Sequence, residues 1–326
     1  MAATVLVTGV STYLGACVAA DLAARDDVER VVGVDVRPPA RALGAAEFLR
    51  ADVRNPLLRR VIAGVDTVVH FGAVPVTGSR SARVSAKETA VIGTMHLVGV
   101  CQAQRDLRHV VLVSTGSVYG ASASAPAIVT EDHGVQSAPR AGHVQEAIEV
   151  ESYVQALGRR RPDVGVSILR LTHVFGGHTR SAMSNYLRAP VVPVPFGFDA
   201  RMQALGEEDA VGAIVAAAAG EPVGIVNVAG QGVITVRQAL RIARRPTVPV
   251  FTTTGRAVGT VSRWAGIPGV DADHMDYIMY GRCLDTTRMR EVLGFTPRLS
   301  TRAAFEAFAR QVWGTPAPPS TTGGAQ

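Results

Sequence analysis

The chain reads as an α/β protein built on a doubly wound parallel sheet, with a smaller C-terminal substrate lobe. Two observations predict it. Short apolar runs alternate with helical patterns through the first half, at residues 5–7, 30–35, 65–71 and 109–114, and strands separated by helices pair in parallel through right-handed crossovers. The runs also end in small or polar residues: Thr8-Gly9, Asp35, Phe71-Gly72-Ala73 and Ser114-Thr115. Such a sheet takes its ligand outside the carboxyl ends of its strands, so this clustering marks a groove.

Composition narrows the class. With 326 residues, 47% of them apolar and 18% charged, the chain can bury a substantial core. No apolar segment reaches the ~20 residues that span a bilayer, and the N-terminus enters a strand without a basic region or cleavage site, so neither a membrane anchor nor a signal peptide is expected. Cys17, Cys101 and Cys283 show no paired spacing and read as free thiols in a reducing cytoplasm. The net charge of +6 comes from 33 basic residues, of which only Lys87 is a lysine. The arginines are scattered, with no basic stripe and interleaved aromatics, so no nucleic-acid partner is expected. The densest cluster, Arg159-Arg160-Arg161, precedes Pro162 and reads as dipole complementation where a helix ends.

The first strand, turn and helix carry the strongest signal. In ATVLVTGVSTYLG, residues 3–15, Gly9 allows a sharp turn and Gly15 lets the helix pack on the strand. The helix start at Tyr13 and Leu14 faces free backbone N–H groups and a positive dipole end toward a pyrophosphate. Thr12 stands where the spacing calls for another glycine. The next strand, 30–35, ends in Asp35, whose carboxylate suits a ribose 2′-hydroxyl and argues for NAD over NADP. Arg37, two residues on, can meet a 2′-phosphate and pulls the other way.

Further strands are expected at 47–52, 65–71 and 109–114, with helices over about 13–24, 80–104 and 140–157. Taken together, Thr8-Gly9 with Gly15, Asp35, Asp52-Val53, His70-Phe71-Gly72-Ala73, Gly93-Thr94 and residues 114–120, STGSVYG, resemble the extended short-chain dehydrogenase/reductases, the NAD-dependent epimerase/dehydratases. Leu169-Arg170 with Val174-Phe175-Gly176, Glu208-Asp209-Ala210-Val211, Asn227-Val228 and Leu293-Gly294-Phe295 continue the likeness, which spans about residues 3–313. The resemblance implies a Rossmann-type fold, an NAD site in which Asp52 and Val53 lie near adenine and Phe71, Gly72 and Ala73 line the adenosine side, and Thr115 in the place of the catalytic serine or threonine. A hydroxyl capping a strand end is the alternative for Thr115.

One departure bears on the chemistry. The family uses a Tyr-x-x-x-Lys pair, the tyrosine moving the proton and the lysine lowering its pKa and holding the nicotinamide ribose. Here His143 occupies the tyrosine position and Ala147 the lysine position. No realignment restores the pair, since Lys87 precedes the strand before this helix. Three readings stay open: His143 acts as a substitute acid/base, since imidazole titrates near neutrality; the site is catalytically silent and the nucleotide a structural or sensed ligand; or another group, such as Arg140 or Tyr153, acts. Thr89, where the family usually has asparagine, is a further departure.

Residues 1–170 are expected to form mainly the dinucleotide-binding core and 171–313 the substrate lobe interleaved with the last core elements. Polar candidates for its pocket are His173, His178, Arg180, Asn185, Arg201 and Gln203. Arginines suit a diphosphate, so a nucleotide-sugar is the default substrate, with another small alcohol or carbonyl compound as the alternative. Residues 314–326 lack apolar periodicity and read as a disordered tail. By resemblance, the helices near 80–104 and 140–157 form a homodimer interface. No metal site is expected.

Overall fold

A computed structural model describes residues 3–39, 41–56, 58–72, 88–135, 142–251 and 272–314. Seven strands form the central sheet: β1 (Ala3–Thr8), β2 (Val28–Asp35), β3 (Glu47–Arg50), β4 (Thr67–Phe71), β5 (His109–Thr115), β6 (Gly165–Leu171) and β7 (Gly224–Val228). They lie in the order β7-β6-β5-β4-β1-β2-β3 and every pairing is parallel. The order reverses at β1, which sits between β2 and β4. A crevice therefore opens at the carboxyl ends of these strands, beside Gly9 and Phe71.

Both faces of the sheet are covered, which is why its strands read as continuous apolar runs. Helices α1 (Tyr13–Ala23) and α4 (Glu207–Ala219) bury Val18, Leu22, Ile214 and Ala217 against one face. On the other face, α2 (Gly93–Gln102) and α3 (His143–Arg160) bury Leu97, Val150, Val154 and Leu157 against Leu6, Val68 and Leu112. A separate cluster, with Phe175, Tyr186, Val192, Met202, Ile278, Phe305 and Phe308, forms the core of the C-terminal region.

The expected strands and helices are present with small shifts of boundary. The third strand stops at Arg50 rather than reaching residue 52. The long helix expected over 80–104 is described from residue 88, as a π-helical turn at Glu88–Ile92 leading into α2. The apolar stretch at 191–198 is in part a strand, Val192–Pro195, paired in parallel with Thr247–Val250, and it buries Val192 and Val194. Arg161 does more than complement its own helix: its Nη1 donates to the carbonyls of Gln102 and Gln104 at 3.0 Å each, satisfying the C-terminus of α2. The three cysteines are buried and free. Among the described residues, no helix is long and apolar enough to cross a membrane. Ala73, Lys87, Arg140, the Thr89 side chain and the tail from residue 315 lie outside the described residues.

Candidate functional site

The β1–α1 turn is built for close backbone approach. Gly9 has φ +81°, and a Cβ there would sit 2.9 Å from the Phe71 Cβ. At Gly15 a Cβ would fall 2.3 Å from the Gly9 carbonyl oxygen, so only glycine lets α1 begin this near the strand. Thr12 is the N-cap: its hydroxyl donates to Gly9 O at 2.8 Å and accepts the Gly15 amide at 3.1 Å. The Thr12 amide donates to Gly9 O at 3.1 Å. Of the helix's first amides, those of Tyr13 and Leu14 have no intrahelical acceptor, and they carry the positive end of the dipole. A pyrophosphate fits this arrangement, because the threonine branch is turned back into the turn and used there.

Asp35 ends β2 and ties the turn to it, accepting the Ser11 amide at 3.0 Å and the Arg37 amide at 3.2 Å. Arg37 Nη2 stands 3.5 Å from Ser11 Oγ, which keeps a cation beside that carboxylate. Asp52 is held by Arg54, Oδ2 to Nη2 at 2.6 Å, and this guanidinium pulls its carboxyl below the usual range. The Val53 carbonyl accepts from His96 Nδ1 at 2.7 Å, and its side chain occupies the space a Cβ on Gly93 would need. The Gly72 amide donates to Val113 O at 3.3 Å, with no room for a side chain beside Val150 and Leu112.

Under this rim lies a buried histidine. Thr94 donates to the Ala90 carbonyl, so it accepts from His70 Nε2 at 2.8 Å, and His70 Nδ1 in turn accepts from the Thr8 hydroxyl at 2.7 Å. Burial pushes this imidazole down to about 4, so it is neutral and holds β1, β4 and α2 in register.

The residues read above as catalytic lie at the end of β5 and at the start of α3. Thr115 caps the 3₁₀ turn Gly116–Tyr119, accepting the Ser117 amide at 3.2 Å and donating to Ser117 Oγ at 3.2 Å. His143 opens α3 directly after Gly142 (φ +115°), its ring 5.6 Å from that of His274. His274 is in turn 6.0 Å from His173, which packs edge-on against Tyr277 at 4.6 Å. One turn into α3, Ala147 is buried in an apolar cluster with Val118, Tyr119, Val129 and Leu284. Ala147, expected at the lysine position, thus sets a methyl group among hydrocarbon.

Sequence reasoning missed the polar network behind these residues. Glu151, on α3, accepts from Ser114 Oγ at 2.6 Å and from Arg170 at 2.6 and 3.1 Å. The Arg170 guanidinium lies 4.7 Å from the centre of the Tyr119 ring, and Tyr119 donates to Asn227 Oδ1 at 2.8 Å. Glu151 is four positions after Ala147, on the same helix face, and that spacing was the available signal. Among the candidate pocket residues, Gln203 is a structural clamp that both donates to and accepts from the Leu284 backbone. His178 belongs instead with Tyr13 and Glu207 at the first turn.

An all-parallel sheet with a reversal at β1 and a glycine turn entering α1 defines a Rossmann-type protein. The chain belongs to the NAD dependent epimerase/dehydratase family, whose model matches residues 5–229. It is 40% identical over 312 residues to the uncharacterized protein Rv0501 of Mycobacterium tuberculosis (strain ATCC 25618 / H37Rv), covering 94% of this chain and 83% of that protein. Among solved structures it is similar to MoeE5 in complex with UDP-glucuronic acid and NAD, with TM-score 0.73 at 22% identity, over 94% of this chain and 98% of the other. UDP-glucuronic acid 4-epimerase from Bacillus cereus superposes with TM-score 0.70 at 18% identity, over 94% and 98% of the two chains.

Proposed function

We propose that this protein binds NAD(H) in the β1–β4 crevice and acts on a nucleotide-sugar, or another small alcohol or carbonyl compound, with altered catalytic residues. The observation that carries the reading is the helix start itself: two amides left for a ligand at Tyr13 and Leu14, closed below by Gly9, Thr12 and Gly15. The adenosine half lies along Asp35, Asp52, Val53, Phe71, Gly72 and Ala73, with Asp35 favouring NAD over NADP. When bound, the nicotinamide supplies a hydride acceptor or donor. In this chain Thr115 hydrogen-bonds the substrate oxygen and His143, at the head of α3, takes or returns the proton. Structural neighbours whose names include UDP-glucuronic acid and NAD support the substrate class.

A specific observation favours a second reading. Ala147 is enclosed by apolar side chains and the Thr115 hydroxyl is spent on Ser117, which suits a catalytically silent nucleotide-binding protein that regulates or scaffolds a partner. Residues 1–170 as nucleotide core, 171–313 as substrate lobe, a cytoplasmic location and a homodimer formed through α2 and α3, where Met95 is exposed, belong to either reading.

Calorimetric titration with NAD and NADP tests the first claim, and the absence of heat with both removes it. With NAD bound, incubation with UDP-glucose or UDP-glucuronic acid, followed by NMR of the sugar, separates the readings. Turnover that His143→Ala abolishes supports the altered enzyme; no turnover in a protein that binds NAD supports the silent one.

A further inference from the structure

The geometry points to His178 as a cofactor-contact residue, a histidine from beyond β6 that closes over the diphosphate position at the start of α1. This deepens the dinucleotide reading above and rests on it. The imidazole lies flat on the Tyr13 ring, centroids 4.2 Å apart and planes within 8°. Tyr13 is the first residue of α1, and its amide is one of the two left for a ligand. Nδ1 of His178 faces the Glu207 carboxylate at 3.3 Å. Nε2 is then the nitrogen that remains for a ligand, on a side chain 64% exposed.

The segment is held rather than draped. Glu207, 8% exposed at the first position of α4, accepts the His178 amide at 3.0 Å and the Thr179 amide as well. The chain can pass over that carboxylate because residue 176 is glycine: a Cβ there would lie 2.0 Å from the Glu207 carboxyl carbon. A carboxylate at Nδ1 and a phosphate oxygen at Nε2 would both accept from the ring, which donates twice as an imidazolium. The contact adds one charge-assisted hydrogen bond to the two amides of the cradle. His178 thereby moves from the substrate pocket, where its place in the sequence put it, to the cofactor turn.

The test compares wild type, His178→Ala and His178→Phe, the last keeping an aromatic ring for the stack while removing both nitrogens. NAD and ADP-ribose are titrated by calorimetry, and adenosine, which has no phosphate, by ligand-observed NMR. Both variants are expected to bind NAD and ADP-ribose about tenfold more weakly, and adenosine within about twofold of wild type. His178 is largely exposed, so the variants should melt with wild type. Wild-type NAD affinity in His178→Phe overturns the inference while leaving the dinucleotide reading intact, and so does an equal loss of adenosine affinity. A wild-type protein that binds neither NAD nor ADP-ribose overturns both.

Discussion

Thr12 hands its hydroxyl proton to the carbonyl of Gly9 across 2.8 Å, so the side chain that replaces a glycine is bound into the turn it might have blocked. Its backbone, φ −83° and ψ 154°, is ordinary extended conformation, which a β-branched residue adopts without strain. Thr12→Gly is therefore expected to leave NAD affinity within about threefold of wild type and to cost only a few tenths of a kcal/mol, while Thr12→Ala loses about 1 kcal/mol of stability with the cap. Calorimetry and thermal unfolding read the two effects. An affinity gain of tenfold or more in Thr12→Gly would show that the branch obstructs the phosphates.

Gly15 cannot be replaced in the same way. A Cβ at 2.3 Å from Gly9 O and 2.9 Å from Gly9 C meets backbone on the other side of the turn, which cannot rotate aside. Gly15→Ala should destabilise by about 2 kcal/mol or more and lower NAD affinity at least tenfold, because the amides of Tyr13 and Leu14 move with the helix start. A variant with wild-type melting temperature and affinity would contradict the packing argument.

The Glu151–Arg170 pair is buried on both sides, with side-chain exposures of 3% and 4%. Removing one partner strands a charge in a low-dielectric site, so Glu151→Ala should cost about 3–5 kcal/mol. The double variant Glu151→Leu with Arg170→Met should recover part of that loss, since it leaves neither charge behind. Denaturant unfolding of wild type, Glu151→Leu, Arg170→Met and the double variant measures the coupling. Equal destabilisation by the single and double changes would contradict the account.

Stability should fall in mild acid for a reason that lies in the sheet. Burial lowers His70 and His109 to about 4, against 6.5 for an unhindered imidazole. Between these values the unfolded chain takes up protons that the folded one refuses, so stability is unaffected above pH 6.5 and declines as pH falls toward 4. Each histidine costs up to about 3 kcal/mol by pH 4. Urea midpoints at pH 8, about 6.5 and 5 test this before carboxylate protonation intervenes. A midpoint unchanged between the last two would rule it out.

The fold was legible in the sequence because its causes are local or periodic. Apolar runs of strand length ending in Thr8-Gly9, Asp35 and Phe71-Gly72, spaced by helical patterns, admit few topologies once crossovers must be right-handed. His143 and Ala147, read at the tyrosine and lysine positions by resemblance, fall in the first two turns of α3. What the sequence left open depended on which groups meet across distance. Thr12 stands where the spacing calls for a glycine, and only the direction of its hydroxyl shows that it caps the helix. Thr115 was read for chemistry or for a strand end, and only the fold shows that its hydroxyl meets Ser117 on the following turn. Glu151 and Arg170 are 19 positions apart, and Tyr13 and Glu207 stand on opposite sides of most of the chain. Only tertiary structure brings them together, because periodicity determines which face a residue lies on, while the packing of one element against another determines what that face meets.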